Sequence, residues 1–435
     1  MRQPMTDRLQ RNERYGRGLA VNAGIALFVL AAAAIFAGSA IAADETKQQL
    51  RVQMPLVTPP PEPERPLGVR KEPGPLRLGP VELHPYLTVK ETYSDNVFFT
   101  SDDKKSDFIT SLTPGIVLQV PFRMHTLSFN ANTTFTRYSK YSSENTTDYA
   151  LGGLGNFLLG SLVTLNISDA YAKGHEPRSS SSSGIIEKFR TNAAAVSLTY
   201  LLANVSKVQL DYTRTTWNYQ TSEFRSRHED LLSAYLYYRM LPKTSAFVEY
   251  DFKQVRFNDK TNGLDNKVFT GLLGLTWEVT ERSKGTVKAG YLQKDFDDPS
   301  RGSLKTWTAA ADVSHDFSDF TSIKLLAKRD VNESSLLGTR YFITTGLYGE
   351  LTRKFLDRLA GVVRASYGED KYSDIIPGDT EMRKDKTVAV GAGMRYYLQR
   401  WLEFVLDYNY RKRDSNIDIY KYTENAFSLT MNASF

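Results

Sequence analysis

LSFNANTTF, residues 127–135, is the stretch that decides how this chain reads. Leu127, Phe129, Ala131 and Phe135 alternate with Ser128, Asn130, Asn132 and Thr134. A period of two belongs to an extended strand with one apolar face and one polar face. A soluble sheet turns such an apolar face to a core, whereas a barrel in lipid turns it to hydrocarbon. The same alternation returns along the chain. In KVQLDY, Val208, Leu210 and Tyr212 oppose Lys207, Gln209 and Asp211; in SAFVEYDF, Ala246, Val248 and Tyr250 oppose Phe247, Glu249 and Asp251. Charges inside strands are expensive unless their face is aqueous, so the polar face is wet.

The final segment, NAFSLTMNASF (425–435), repeats the pattern: Phe427, Leu429, Met431, Ala433 and Phe435 share one face. A soluble chain usually frays into polar residues at its end. An aromatic terminus behind an alternating strand resembles the signal by which outer-membrane barrels are recognised for assembly, and the strand is expected to pair with the first and close the cylinder. Eighteen segments of this kind run from 83 to 435, an even number, as expected of a single-chain transmembrane antiparallel up-and-down β-barrel. Connections alternate between short turns such as PFRM (121–124) and LPKT (241–244) and long polar stretches at 174–189, 258–266 and 369–385. Short turns on one rim and long loops on the other fit the periplasmic and outer ends of an all-β outer-membrane barrel.

Composition agrees. Hydrophobic residues make up 41% of 435, and the mean hydropathy of -0.39 is too polar for a bundle of membrane helices. Yet the chain has 25 tyrosines and 23 phenylalanines, enough for interfacial girdles, and no cysteine, which excludes disulfides and thiolate chemistry. The formal charge of +6 includes a leader rich in arginine; removing it leaves about +3 and no concentrated basic face for nucleic acid.

That leader, residues 1–42, carries arginines, an apolar run from Gly24 to Ala37 and the small-x-small site Ala40-Ile41-Ala42. It reads as a secretory signal peptide cleaved after Ala42. Residues 43–82 are proline-rich, favour extended polyproline II and read as a largely disordered periplasmic linker. The barrel then occupies 83–435.

ETYSDN (91–96) followed by SDFITSLTPGI (106–116) resembles the opening of a family of outer-membrane β-barrel porins encoded beside exopolysaccharide and exosortase systems. The resemblance covers about the first two strands. It implies a channel or accessory for export of a cell-surface exopolysaccharide in a Gram-negative outer membrane, working with a periplasmic or outer-membrane polysaccharide export protein. Read without it, Ser94, Asp95 and Asn96 are turn formers and Pro114-Gly115 is a strand kink.

Nothing in the sequence reads as a catalyst or a cofactor site. His84, His125 and His315 fall near the short-turn rim, His175 and His228 are expected in outside loops, and no pair has metal-ligand spacing. Asp230 beside His228 reads as a solvated loop residue.

The lumen is the better candidate site. Asp211, Tyr235, Tyr237, Glu249, Asp251 and Lys253 are expected on its early wall. Lys288, Lys324, Lys328 and Arg364 are expected farther round, with Arg395, Glu403, Asp407 and Arg411 near the closure. Mixed signs point to ion pairing and a moderately polar passage. Carboxylates for hydroxyls and tyrosines for stacking make polysaccharide contact a reading of these groups; solvation of the wall explains most of them equally. The expected partners are outer-membrane lipid, the barrel-assembly machinery and polysaccharide. A general diffusion porin for small solutes and a surface adhesion or scaffold barrel with a plugged lumen are the alternatives, the plug coming from 174–189 or 369–385.

Overall fold

The computed structural model describes residues 76–434 apart from 177, 179–185 and 281. The signal peptide and most of the linker lie outside the described residues, as does Phe435. A short strand, β1 (Leu76–Leu78), pairs antiparallel with the start of β2 (Val81–Ser94), Leu78 opposite Val81. The linker expected over 43–82 therefore ends earlier, because Gly79, at φ 62°, supports a tight turn that folds LRL back on β2.

The wall continues with β3 (Asp107–Phe122), β4 (His125–Tyr138), β5 (Thr146–Leu159), β6 (Val163–Glu176) and β7 (Glu187–Ala203). Next come β8 (Ser206–Tyr219), β9 (Arg227–Leu241), β10 (Thr244–Phe257), β11 (Asn266–Thr280), β12 (Ser283–Phe296) and β13 (Ser303–Ser318). The last third is β14 (Thr321–Glu333), β15 (Tyr341–Leu356), β16 (Leu359–Ile375), β17 (Met382–Gln399), β18 (Leu402–Ser415) and β19 (Tyr422–Ser434). Each strand pairs antiparallel with its neighbours in sequence. β19 then pairs with β2, Phe427 opposite Tyr93 and Ala433 opposite Leu87. Apart from β1, eighteen strands thus form a closed antiparallel barrel with no free edge.

Alternation fixes which way each residue points. Phe108, Phe129, Leu151, Ile167, Leu236, Val248, Leu273 and Leu406 are exposed on the outer surface, and Phe427 and Leu429 of the last strand join them. Their sequence neighbours turn inward. On the short-turn rim Phe122, Phe317, Phe320, Phe355 and Trp401 are exposed and form an aromatic belt of the kind that sits at a lipid headgroup boundary. Polar residues on this outer face are satisfied by one another: Asp169, opposite Gly153 and Ala194, accepts two hydrogen bonds of 3.1 Å from the Asn192 amide.

The stretch 369–385, expected as a long loop, is mostly sheet: β16 runs on to Ile375 and β17 begins at Met382, leaving a turn at 376–381. Apolar alternation stops there because both faces of the hairpin have left the hydrocarbon. The charged residues still alternate, Tyr372, Arg383 and Asp385 buried and Lys371, Lys384 and Lys386 exposed. The segment is therefore not an inward-folded plug. His175 and His228, expected in loops, lie in β6 and β9.

Candidate functional site

The interior holds a cavity of about 2070 Å³ against the strands from β6 to β18. Its walls differ around the circumference, and the difference starts in the sequence. From β8 onward inward positions are often charged. Below the loop rim, where Asp148, Glu176 and Glu187 stand, β4 to β7 place no charge inward among the described residues.

On the charged wall, register brings together residues far apart in sequence. Lys288 on β12 donates to both oxygens of Glu249 on β10, at 2.7 and 2.8 Å, across the intervening β11. Arg364 on β16 reaches both ways, donating to Glu350 on β15 (3.1 Å) and to Asp407 on β18 (2.7 Å). Tyr348, wholly buried, donates its hydroxyl to Glu350 at 2.6 Å. Arg227 donates to Glu229 at 2.8 Å, and Lys253 stands 3.5 Å from the same carboxylate. Lys328 lies 2.9 Å from Asp330, and Arg383 grips Asp385 at 2.6 and 2.9 Å. Gln209 donates to the two oxygens of Asp211 at 3.0 and 2.9 Å. Each removal of a charge from water is offset by an opposite charge or a donor.

Glycines let some of these groups lie flat on the wall. Asp407 lies where a Cβ on Gly393 would stand, and Asn409 occupies the same place over Gly391.

Every lumen residue expected from the sequence therefore has a definite place. Glu249 is 2% exposed and Asp211 3%, so both line the cavity with little surface of their own. Tyr235 and Tyr237 stack at 5.9 Å, and the Lys207 ammonium sits 4.3 Å from the Tyr237 ring centroid. Asp251, Lys253, Lys288, Lys324, Lys328 and Arg395 line the cavity. Glu403 accepts from Asn432 at 3.1 Å, and Arg411 lies 5.8 Å from the Phe99 ring. Of the residues expected to form the assembly signal, Phe427, Leu429 and Met431 alternate on the outer side of β19 and Ala433 is buried. His228 stands apart from Asp230 chemistry: Asp230 is taken by Arg214 (3.1 Å) and the Tyr212 hydroxyl (2.7 Å).

The uncharged wall was missed by the sequence reading of the lumen. Its inward ladder on β4 is Ser128, Asn130, Asn132, Thr134 and Thr136, opposite β5 residues Leu154, Gly152, Ala150, Asp148 and Thr146. Asn156 on β5 donates to Asn166 on β6 at 2.6 Å, Thr113 on β3 bonds Thr134 at 2.9 Å, and Thr88 on β2 donates to Asn432 at 2.9 Å. Amides and hydroxyls alternating with apolar residues were the available signal, the same one that located the strands.

A closed barrel whose outer face is mainly apolar and whose inner face is mainly polar is a pore-type architecture of the outer membrane. The family profile described as "Putative beta-barrel porin 2" matches residues 72–435, and the chain belongs to that family. Solved barrels similar to it include the outer membrane protein OpdK of Pseudomonas aeruginosa, at 12% identity over 81% of this chain and 99% of that one, TM-score 0.47. OccAB4 of Acinetobacter baumannii is similar at 12% identity over 81% and 98%, TM-score 0.46. The siderophore receptor PirA of Pseudomonas aeruginosa is similar at 10% identity over 81% and 80%, TM-score 0.42. No curated protein sequence matches the chain significantly.

Proposed function

We propose that this porin-family barrel is a passage, or part of one, for export of a cell-surface exopolysaccharide across the outer membrane. The observation that supports it most is the interior: a cavity of about 2070 Å³ in which the charges of one wall are internally compensated. Such a passage offers hydrogen bonds without a strong field of either sign, which suits a hydroxyl-rich cargo better than a small ion. Nothing in this role asks for a catalyst or a cofactor; the barrel works by position. Its partners in this reading are outer-membrane lipid, the barrel-assembly machinery that inserts it, a periplasmic or outer-membrane polysaccharide export protein, and the polymer.

Deleting the gene in its host and weighing extracellular polysaccharide tests the proposal. The expected result is a loss of polymer restored by the intact gene; unchanged polymer contradicts export and leaves a general diffusion porin. Conductance separates the two from the other side. A steady ohmic pore freely passing small sugars fits diffusion, and a small or gated current fits export. For a scaffold barrel, loop deletions would abolish surface binding while leaving permeability alone.

A further inference from the structure

We infer that the inner wall of β4 to β8 holds a groove for an uncharged polyhydroxylated chain, an inference that rests on the carbohydrate-passage reading and names where and by what the cargo is held. The floor is a patch of missing side chains. Gly152 on β5 opposes Ala170 on β6, Ala150 opposes Ala172, and Ala170 in turn opposes Ala193 on β7. The patch continues into Ala195 on β7 and Gly174 on β6, while Asn130, Asn132 and Leu154 stand beside it.

One bank is the amide ladder of β4. Asn130 leans over Gly152, where any Cβ would meet its Oδ1. Asn132 follows two residues on, which in a strand is a step of roughly 7 Å. Neither amide has a side-chain hydrogen bond to the described residues, and neither is fully buried, so both keep donors and acceptors for a guest. The opposite bank is β8. Thr213 is 6% exposed, its Oγ1 has no hydrogen-bond partner, and it lines the cavity. A buried hydroxyl without a partner is costly unless something supplies one. Beyond it stands Trp217, half-buried, stacked on Tyr219 at 13° and 6.3 Å and flanked by Phe189 at 5.6 Å. The ring cluster gives the apolar face of a sugar ring a surface to lie on.

Charge decides the class of guest. Carboxylates on a polymer would want cations on the banks; below the loop rim β4 to β7 present none inward among the described residues, and on the β8 bank Lys207, at the short-turn end, lies against the Tyr237 ring, 4.3 Å from its centroid. Hydroxyls want amides and hydroxyls, which it presents in series. On the charged wall opposite, Lys288 and Arg364 are held by carboxylates of that same wall, so these cations do not supply what the groove lacks.

The test uses the full chain in a planar bilayer with maltohexaose as a neutral probe and a hexauronate as an anionic one. Maltohexaose is expected to block the current in resolved events. The double substitution Asn130→Leu/Asn132→Leu is expected to shorten those events about tenfold, the loss of a pair of modest hydrogen bonds. Asn130→Ser/Asn132→Ser replaces the two amides by hydroxyls, is the variant that serves if the leucines disturb folding, and is expected to retain blockade longer than the leucine pair. Equal residence in wild type and both variants, or a hexauronate staying as long as maltohexaose, overturns the groove. The gene deletion separates this from the export reading. Unchanged polymer with Asn-dependent blockade keeps the groove and removes export, whereas lost polymer without blockade removes the groove and keeps export.

Discussion

The two halves of the inner wall solve one problem in opposite ways. On β8 to β18 the chain places full charges inside and closes them on one another, as in Glu249 with Lys288 and Arg364 with Glu350 and Asp407. On β4 to β7 it uses amides, hydroxyls and alanines, whose desolvation costs less than that of a full charge, as in Asn156 with Asn166. The first arrangement makes a stiff wall whose strands are tied across their neighbours. The second leaves polar valence open to whatever occupies the lumen. The comparison teaches that a polar lining is not by itself a binding surface; what matters is whether its groups are already spent.

Removing one partner from the charged wall should have the largest effect. Arg364→Ala leaves Glu350 and Asp407 without their cation, and loss of a buried partner costs on the order of 3–5 kcal/mol. Thermal unfolding in detergent micelles should show a clear drop, while Asn156→Ala, which strips one neutral hydrogen bond, should cost only about 1 kcal/mol. Equal losses at the two sites would erase the distinction.

Packing comes next. A methyl group on Gly290 would run into the backbone carbonyl of Gly271 on the adjacent strand. Gly290→Ala should therefore destabilise the β11–β12 pair by about 1–3 kcal/mol, whereas Gly271→Ala, whose added carbon meets open space, should be tolerated in the same melts.

Selectivity offers a third, smaller handle. Asn130→Asp with Asn132→Asp puts uncompensated carboxylates on the open wall and should move the reversal potential toward cation preference. Asp211→Asn, at a nearly buried residue whose two oxygens already accept from Gln209, should move it less. A larger shift from Asp211 would show that the charged wall faces the permeant ions.

The smallest effect belongs to the loop hung on the charged wall at 258–265. Burial pushes the Asp265 carboxyl up, but the hydrogen bond from Lys260 and the Phe257 N–H outweigh it and hold the group below its ordinary range. A depressed carboxylate contributes stability above its unfolded value of about 3.9 and loses it as pH falls through the folded value. Hydrogen exchange at 257–265 should accelerate as pH is lowered past about 4 beyond the intrinsic trend, and Asp265→Asn should remove that dependence.

What the sequence made legible follows the same physics. Apolar residues at every second position located the eighteen strands of the closed wall, though not the three-residue β1, because lipid outside and water inside impose opposite demands on neighbouring residues. The prolonged hairpin of β16 and β17 escaped because Glu369, Asp370 and Lys371 have water on both sides, so no hydrophobic contrast marks them. Charged lumen residues announced themselves by being charged within an apolar alternation. Their pairing did not, since Arg364 and Asp407 meet only once β16, β17 and β18 are in register. The groove wall stayed silent for the reverse reason: Asn130, Gly152 and Ala170 are unremarkable singly and become a surface only when β4, β5 and β6 lie side by side.

The central claim is that one face of each ribbon meets hydrocarbon while the other meets water inside a closed cylinder. The chain has no cysteine, so single cysteines placed in turn from 127 to 136 on β4 in reconstituted lipid report on that face alone. A water-soluble maleimide should label positions 128, 130, 132 and 134 and spare 127, 129, 131 and 135. Uniform labelling, or labelling of the odd positions in place of the even ones, would contradict the account.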